Sequence, residues 1–198
     1  MSENRNLPPS REELGDGWSG YGEPFPPYTY IPNRSLPHPR SSPLGHSHGL
    51  PEPTAQPIDD DRWADSRAYL RGCRLFNAGY YWEAHEEWEA LWHAQGRIGP
   101  VAEVLKGLIK LAAAGVKVRE GRPQGVASHA RRAAESFKIA RAAVGPTVLG
   151  LDLDHWGRLA RDLADHPVVD LTDHSGIARI VFQFRIEPIV LARRADEK

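Results

Sequence analysis

A single cysteine, Cys73, in 198 residues excludes an internal disulfide and a Cys-rich zinc site. A reducing, cytoplasmic setting is therefore the default expectation. Long apolar runs are missing as well. None approaches the roughly 20 residues that a membrane-spanning helix needs, and the opening MSENRNLPPSREELGDG has no apolar core of a secretory signal. Neither sign of charge is in excess: 25 Lys and Arg face 26 Asp and Glu, mixed along the chain, so the basic footprint of a nucleic-acid binder is absent. Gly-rich phosphate loops are not found. No nucleophile stands out, because Cys73 falls on the apolar side of its helix and reads as packed rather than reactive. What remains is a soluble chain with a mean hydropathy of -0.51, long enough for one domain and a tail. Neither nucleic acid nor membrane is expected as a partner.

Proline is abundant but unevenly placed. Residues 1–58 hold 12 of the 17 prolines. Proline removes backbone donors and restricts its predecessor, which disfavours helix and ladder alike. This leader is expected to be largely irregular or disordered. It nevertheless carries Trp18, Tyr21, Phe25, Tyr28 and Tyr30, and solvated disorder is usually poor in aromatics. Part of residues 21–50 is therefore expected to lie extended on the folded domain or on a partner, with a loose tail as the alternative.

From residue 59 the period becomes helical. Asp59 to Asp61 can cap a first helix over 62–77, with Tyr69, Cys73 and Phe76 on one side. Asn77-Ala78-Gly79 ends it. A second helix runs over 81–95, close enough to be the antiparallel neighbour of the first. Gly99-Pro100 opens a third, 101–119, with Val104, Leu105, Leu108, Leu111, Ala112 and Val116 on its apolar face. Pro123 opens a fourth, to Val144, and a fifth covers 154–164. An echo of helix, Gly turn and helix recurs at Gly79 and Gly121, the pattern of helical hairpins; two are too few for a solenoid. Beyond His166-Pro167 the period changes to that of a strand over 180–186, which pairs with 168–171 or else packs as a lone extended arm. The chain is thus expected to be all-α: a compact bundle of about five antiparallel helices at 59–166, a Pro-rich leader at 1–58 and an extended, β-like segment at 167–198.

The chemistry-bearing stretch is Leu75 to Ala94, LFNAGYYWEAHEEWEALWHA, which holds three of the six tryptophans. On a helical wheel Tyr81, His85, Trp88 and Trp92 share one face, with Glu89 at its margin and Glu86 at its edge. Glu83 and Glu87 are expected to point to water. His85 and Glu89, at i and i+4, can hydrogen-bond. Three readings follow. The pair can be structural, tying the helix to its neighbours with Asn77. It can bind a divalent metal ion, or it can act on a small ligand with Glu89 as base and His85 as acid or orienting group. His85-Glu86-x-x-Glu89 is similar to the His-Glu-x-x-His zinc helix, but Glu89 stands where the second imidazole belongs. The Glu-x-x-His of carboxylate di-iron sites meets Trp82 where Glu is required. Asp152/His155 and Asp162/His166 have the spacing to supply a second half. Trp82, Trp88 and Trp92 read as core. Gly45-His46-Ser47-His48-Gly49, with His38, is a weak candidate for a metal ion. Lys106, Lys110 and Lys117 form one stripe of the third helix, which reads as a solvated face or as an anion contact.

Residues 75–92 resemble the signature of the bacterial domain-of-unknown-function 309 family, approximately Phe-Asn-x-Gly-x-Tyr/Phe-x-Glu-Ala-His-Glu-x-x-Glu-x-x-Trp. Phe76, Asn77, Gly79, Tyr81, Glu83, Ala84, His85, Glu86, Glu89 and Trp92 match it. Leu105 to Ala114, LKGLIKLAAA, resembles the family's next helix, with Lys106 and Lys110 where Gln is usual, and the turn at Gly121 to Gly125 is also similar. The likeness covers about residues 61–144. It implies a small all-α fold and no established activity, and it favours Asn77, His85, Glu86, Glu89 and Trp92 as a shared constellation. The resulting expectation is a cytoplasmic protein with a polar cleft: His85, Glu89 and Glu86 as reacting groups, Asn77, Tyr81, Trp88, Trp92 and Lys110 as binding groups, and His85 with Glu89 as the ligands of any metal. Its partner would be a small molecule or a protein, and homo-oligomerisation stays open. The competing expectation is a helical-hairpin interaction module in which His85 and Glu89 are structural.

Overall fold

A computed structural model of the chain describes residues 24–51, 54–171 and 176–189. The expectations placed on Trp18 and Tyr21 lie outside them. A 3-10 helix, Asp60–Asp65, precedes five α-helices: α1 Arg67–Asn77, α2 Tyr81–Ala94, α3 Pro100–Arg119, α4 Pro123–Val144 and α5 Leu153–Asp165. Between α4 and α5 lies an antiparallel hairpin of β1, Thr147–Val148, and β2, Leu151–Asp152. The fold is helix-dominated, as the periodicity predicts. Among the described residues no helix is long and apolar enough to cross a membrane.

The first helix differs from its expected extent. The chain turns at Ser66, whose backbone is extended and whose hydroxyl accepts from the Tyr69 amide at 3.3 Å. Ser66 is thus the working N-cap, and Asp59 makes no side-chain cap. The hairpin was not anticipated. Its loop residues Leu149 and Gly150 both have positive φ, 52° and 71°, the requirement of a tight two-residue connection. A buried leucine rarely signals such a turn. Here the Tyr69 hydroxyl donates to the Leu149 carbonyl at 2.8 Å and holds it.

The middle of the bundle is α3, packed between α2 and α4. Small residues let it approach both. A Cβ at Gly115 would strike the Tyr81 ring, one at Gly107 the Phe137 ring, and one at Gly125 of α4 the Lys117 stem. These contacts join the start of α2 to the end of α3, and the end of α3 to the start of α4. Both pairs are therefore antiparallel, with their register fixed. Val104, Leu105, Leu108, Leu111 and Ala112 are buried, as are Val126, Ala130, Ala133 and Phe137 of α4. Burying a Leu or Phe side chain contributes roughly 1.5–3 kcal/mol each, so this apolar seam supplies most of the drive for association.

The alternation expected over 180–186 holds only from 182, since Ile180 is exposed, and it makes no ladder: the described residues show no strand there. Phe182 and Ile186 are buried while Gln183 and Arg185 are exposed. The arm's backbone is satisfied by side chains of the helices instead. Ile186 N–H donates to Asn77 Oδ1 at 2.8 Å, and Asn77 Nδ2 donates to the Ile186 carbonyl at 2.9 Å. Val181 N–H donates to the Tyr81 hydroxyl at 3.0 Å. Phe182 stacks on Phe76 and Phe184 on Phe182, with centroids 5.7 and 4.8 Å apart.

Candidate functional site

The first turn of α2 is claimed by the leader. Glu83, expected at the surface, is 5% exposed. Its carboxylate accepts from Thr29 Oγ1 at 2.7 Å and from the Tyr30 amide at 2.9 Å, and His46 Nε2 lies 3.3 Å away. Thr29 and Ile31 are buried with it. Tyr30 and His38 pack edge-on against Trp82, at 5.4 and 5.5 Å, so Trp82 lies under the leader rather than in the helical core. The wheel failed at Glu83 because it counted only helices as neighbours. The pairing of Tyr30 with Glu83 spans 53 residues, and no local pattern announces it. Glu87 also departs from expectation: it is half-buried, and Arg71 donates to it at 2.8 Å.

The leader's histidines have structural partners. His46 faces Glu83 and also Ser47, His38 Nδ1 receives the amides of Arg40 and Ser41 at 3.3 Å, and His48 contacts the Arg40 carbonyl. They do not converge on a common point for a metal ion. Asp152 caps α5 by accepting from Asp154 and His155 N–H, and Asp162 and His166 pair at an exposed position. Neither pair joins the cluster around His85.

That cluster is the remaining polar part of α2. One ligand atom from each of His85, Glu86 and Glu89 lies within 4.8 Å of the other two. His85 Nδ1 is 3.5 Å from Glu86 Oε1 and 3.8 Å from Glu89 Oε2. It is buried yet makes a hydrogen bond with neither. The side chains are 26%, 30% and 42% exposed, so the group opens to solvent on one side. Trp88, the expected binding aromatic, is fully buried, and its indole donates to the Tyr69 carbonyl at 3.2 Å. Tyr81 is likewise buried; desolvation pushes its phenol up to about 12. Trp92 lies at the edge under the Arg97 guanidinium, 5.2 Å above its ring. Asn77 is taken up by the arm. The structure thus brings together His85, Glu86 and Glu89 and assigns Asn77, Tyr81 and Trp88 to packing. Cavities of about 350 Å³ (Thr54–Ala68 and Leu91) and about 80 Å³ (α4–α5) do not include the cluster.

One residue was missed. His129, on α4, is half-buried, and its Nδ1 has no partner. Burial, followed by the charges of Lys110, Lys117, Arg132 and His85, pushes its imidazole down to about 4. A neutral imidazole near His85 is a possible ligand or proton acceptor. Nothing in the spacing of α4 singles it out; only the α3–α4 packing brings it to this face.

The class of protein is thus a helical-hairpin domain whose first hairpin presents an open His/Glu cluster. Residues 69–129 match the family model described as domain of unknown function 309 (DUF309). The match begins in α1 and ends at His129, a narrower span than the resemblance over 61–144. No curated protein matches the chain.

Proposed function

We propose that the helical domain holds a divalent transition-metal ion on α2, bound by His85 Nδ1 and the carboxylates of Glu86 and Glu89, with open positions for a small molecule. The observation that carries this reading is the unpartnered His85 Nδ1 facing two carboxylates at 3.5 and 3.8 Å. Asn77 and Glu83 of the signature have hydrogen-bond partners within the fold; the buried His85 Nδ1 makes no hydrogen bond, so packing alone does not account for it. Metal–ligand bonds of roughly 2.0–2.2 Å place neighbouring ligands about 3–3.5 Å apart, so small side-chain rotations close the set. One imidazole with two carboxylates suits zinc, manganese or ferrous iron. Three protein ligands leave positions where a water or substrate oxygen is polarised.

The test is elemental analysis and cobalt titration of the full chain purified without an affinity His tag. One ion per chain is expected, with the cobalt absorption lost in His85→Ala and in Glu89→Gln. Substoichiometric uptake, or uptake that survives His85→Ala, overturns the reading.

A further inference from the structure

Three helices border the cluster, and their register is fixed. Counting along the antiparallel pairs from the Tyr81–Gly115 and Lys117–Gly125 contacts, Glu86 comes level with Lys110, Lys110 level with Arg132, and Ala113 level with His129. Each of these side chains is at least partly exposed. Lys110 and Arg132 are near enough to His129 for their charges to act on its ring, and Ala113, level with it on α3, carries only a methyl group. The lysines of the stripe are not equivalent. Lys106 pairs with Glu103 at 3.2 Å and Lys117 with Glu120 at 2.8 Å. Among the described residues neither Lys110 nor Arg132 makes an ion pair, with Glu86, Glu89 or any other carboxylate.

We propose that these residues form an oxyanion-binding site, in which Lys110 from α3 and Arg132 from α4 take a phosphate or carboxylate group of a small molecule, with His129 beside it. Two cations without ion pairs on neighbouring helices, a small residue at the same level and an imidazole with an unpartnered nitrogen make a set of donors for one anion. Arginine offers a fork and lysine a mobile point charge, a combination that suits an oxyanion. Like charges without an ion-pair partner repel one another, and an anion relieves that repulsion. The His129 imidazole is held down mainly by burial, and the charges of Lys110 and Arg132 add to that effect. The ligand class deepens the function proposed above: an anionic group held there would bring the rest of the molecule over His85. It depends on that reading only for the metal's position, because the anion contacts can be measured on metal-free protein.

The experiment follows the His129 ring and Arg132 side-chain resonances by NMR while metal-free full chain is titrated with inorganic phosphate or, separately, acetate at constant ionic strength. A saturable shift with either anion is expected, weakened about tenfold in Lys110→Gln, the scale of one partly screened charge contact. Whichever anion saturates at lower concentration names the group. In anion-free Lys110→Gln the His129 titration should also move up, because a nearby positive charge is gone. Shifts that stay linear, or that are identical in Lys110→Gln, overturn the proposal. If cobalt fails to bind while phosphate saturates, the metal reading falls and this one stands; the reverse result separates them equally well.

Discussion

Removing the Glu83 carboxylate should release the leader. Glu83→Ala leaves the Thr29 hydroxyl and Tyr30 amide without their acceptor and takes away the carboxylate that His46 faces. A hydrogen bond to a charged group is worth roughly 1.5–3 kcal/mol, and a buried donor left unsatisfied costs about 1–3 kcal/mol. Two lost bonds, with water regaining access as the leader lifts, come to about 2–4 kcal/mol. The leader can undock without the helices unfolding, so its own docking free energy caps the loss. A loss of about 3 kcal/mol raises the open population by about two orders of magnitude. Limited trypsinolysis reads it directly, since Arg34 and Arg40 lie within the docked segment. Cleavage at these sites should accelerate by about a hundredfold in Glu83→Ala, and amide exchange over residues 28–46 should rise in parallel, while the α3–α4 amides keep their protection. Equal cleavage rates in both proteins would refute the argument that this buried carboxylate holds the leader down.

Three further outcomes follow from the same geometry. Asn77→Ala deletes both bonds to Ile186 and should cost about 2–4 kcal/mol, seen as a lower melting temperature with a change in Trp156 fluorescence, because Phe184 packs on Trp156 at 5.8 Å. His85→Ala should lower stability by only about 1 kcal/mol, since its ring, 26% exposed, has no hydrogen bond at Nδ1; a large loss would return the pair to the structural reading. The depressed His129 imidazole binds its proton less readily when folded. Its contribution is present above the unfolded pKa near 6.5 and is lost as pH falls towards about 4. Discounted for solvent screening this is about 1–2 kcal/mol, and urea melts of His129→Gln should show a shallower acid limb over that window.

Helix spans and the apolar faces of α3 and α4 were legible because local periodicity and breakers determine them. Pro100, Pro123, Gly79 and Gly121 mark the boundaries in the chain itself. The signature residues were legible as a group, but their division of labour was not. Asn77 and Tyr81 look like binding groups until Val181 and Ile186 arrive to occupy them, and Glu83 looks solvated until Thr29 covers it. His129 and the isolation of Lys110 depend on which helix faces are adjacent, a property of tertiary register that no single segment encodes. The open His/Glu cluster lay between these cases: the wheel grouped His85 with Glu89, and only packing showed that its outer side is accessible.

The clamp of Asn77 on Ile186 spans 109 residues, which has a consequence for synthesis. At roughly 5–20 residues per second, Asn77 waits on the order of 5–20 s before its partner is made. Through that interval the α1–α2 hairpin must persist with an open amide and an uncovered Phe76 face. Glu83 meets a leader already translated, whereas Asn77 meets an arm still to come. The two latches therefore close in a set order, and the nascent hairpin is the intermediate that a chaperone would encounter.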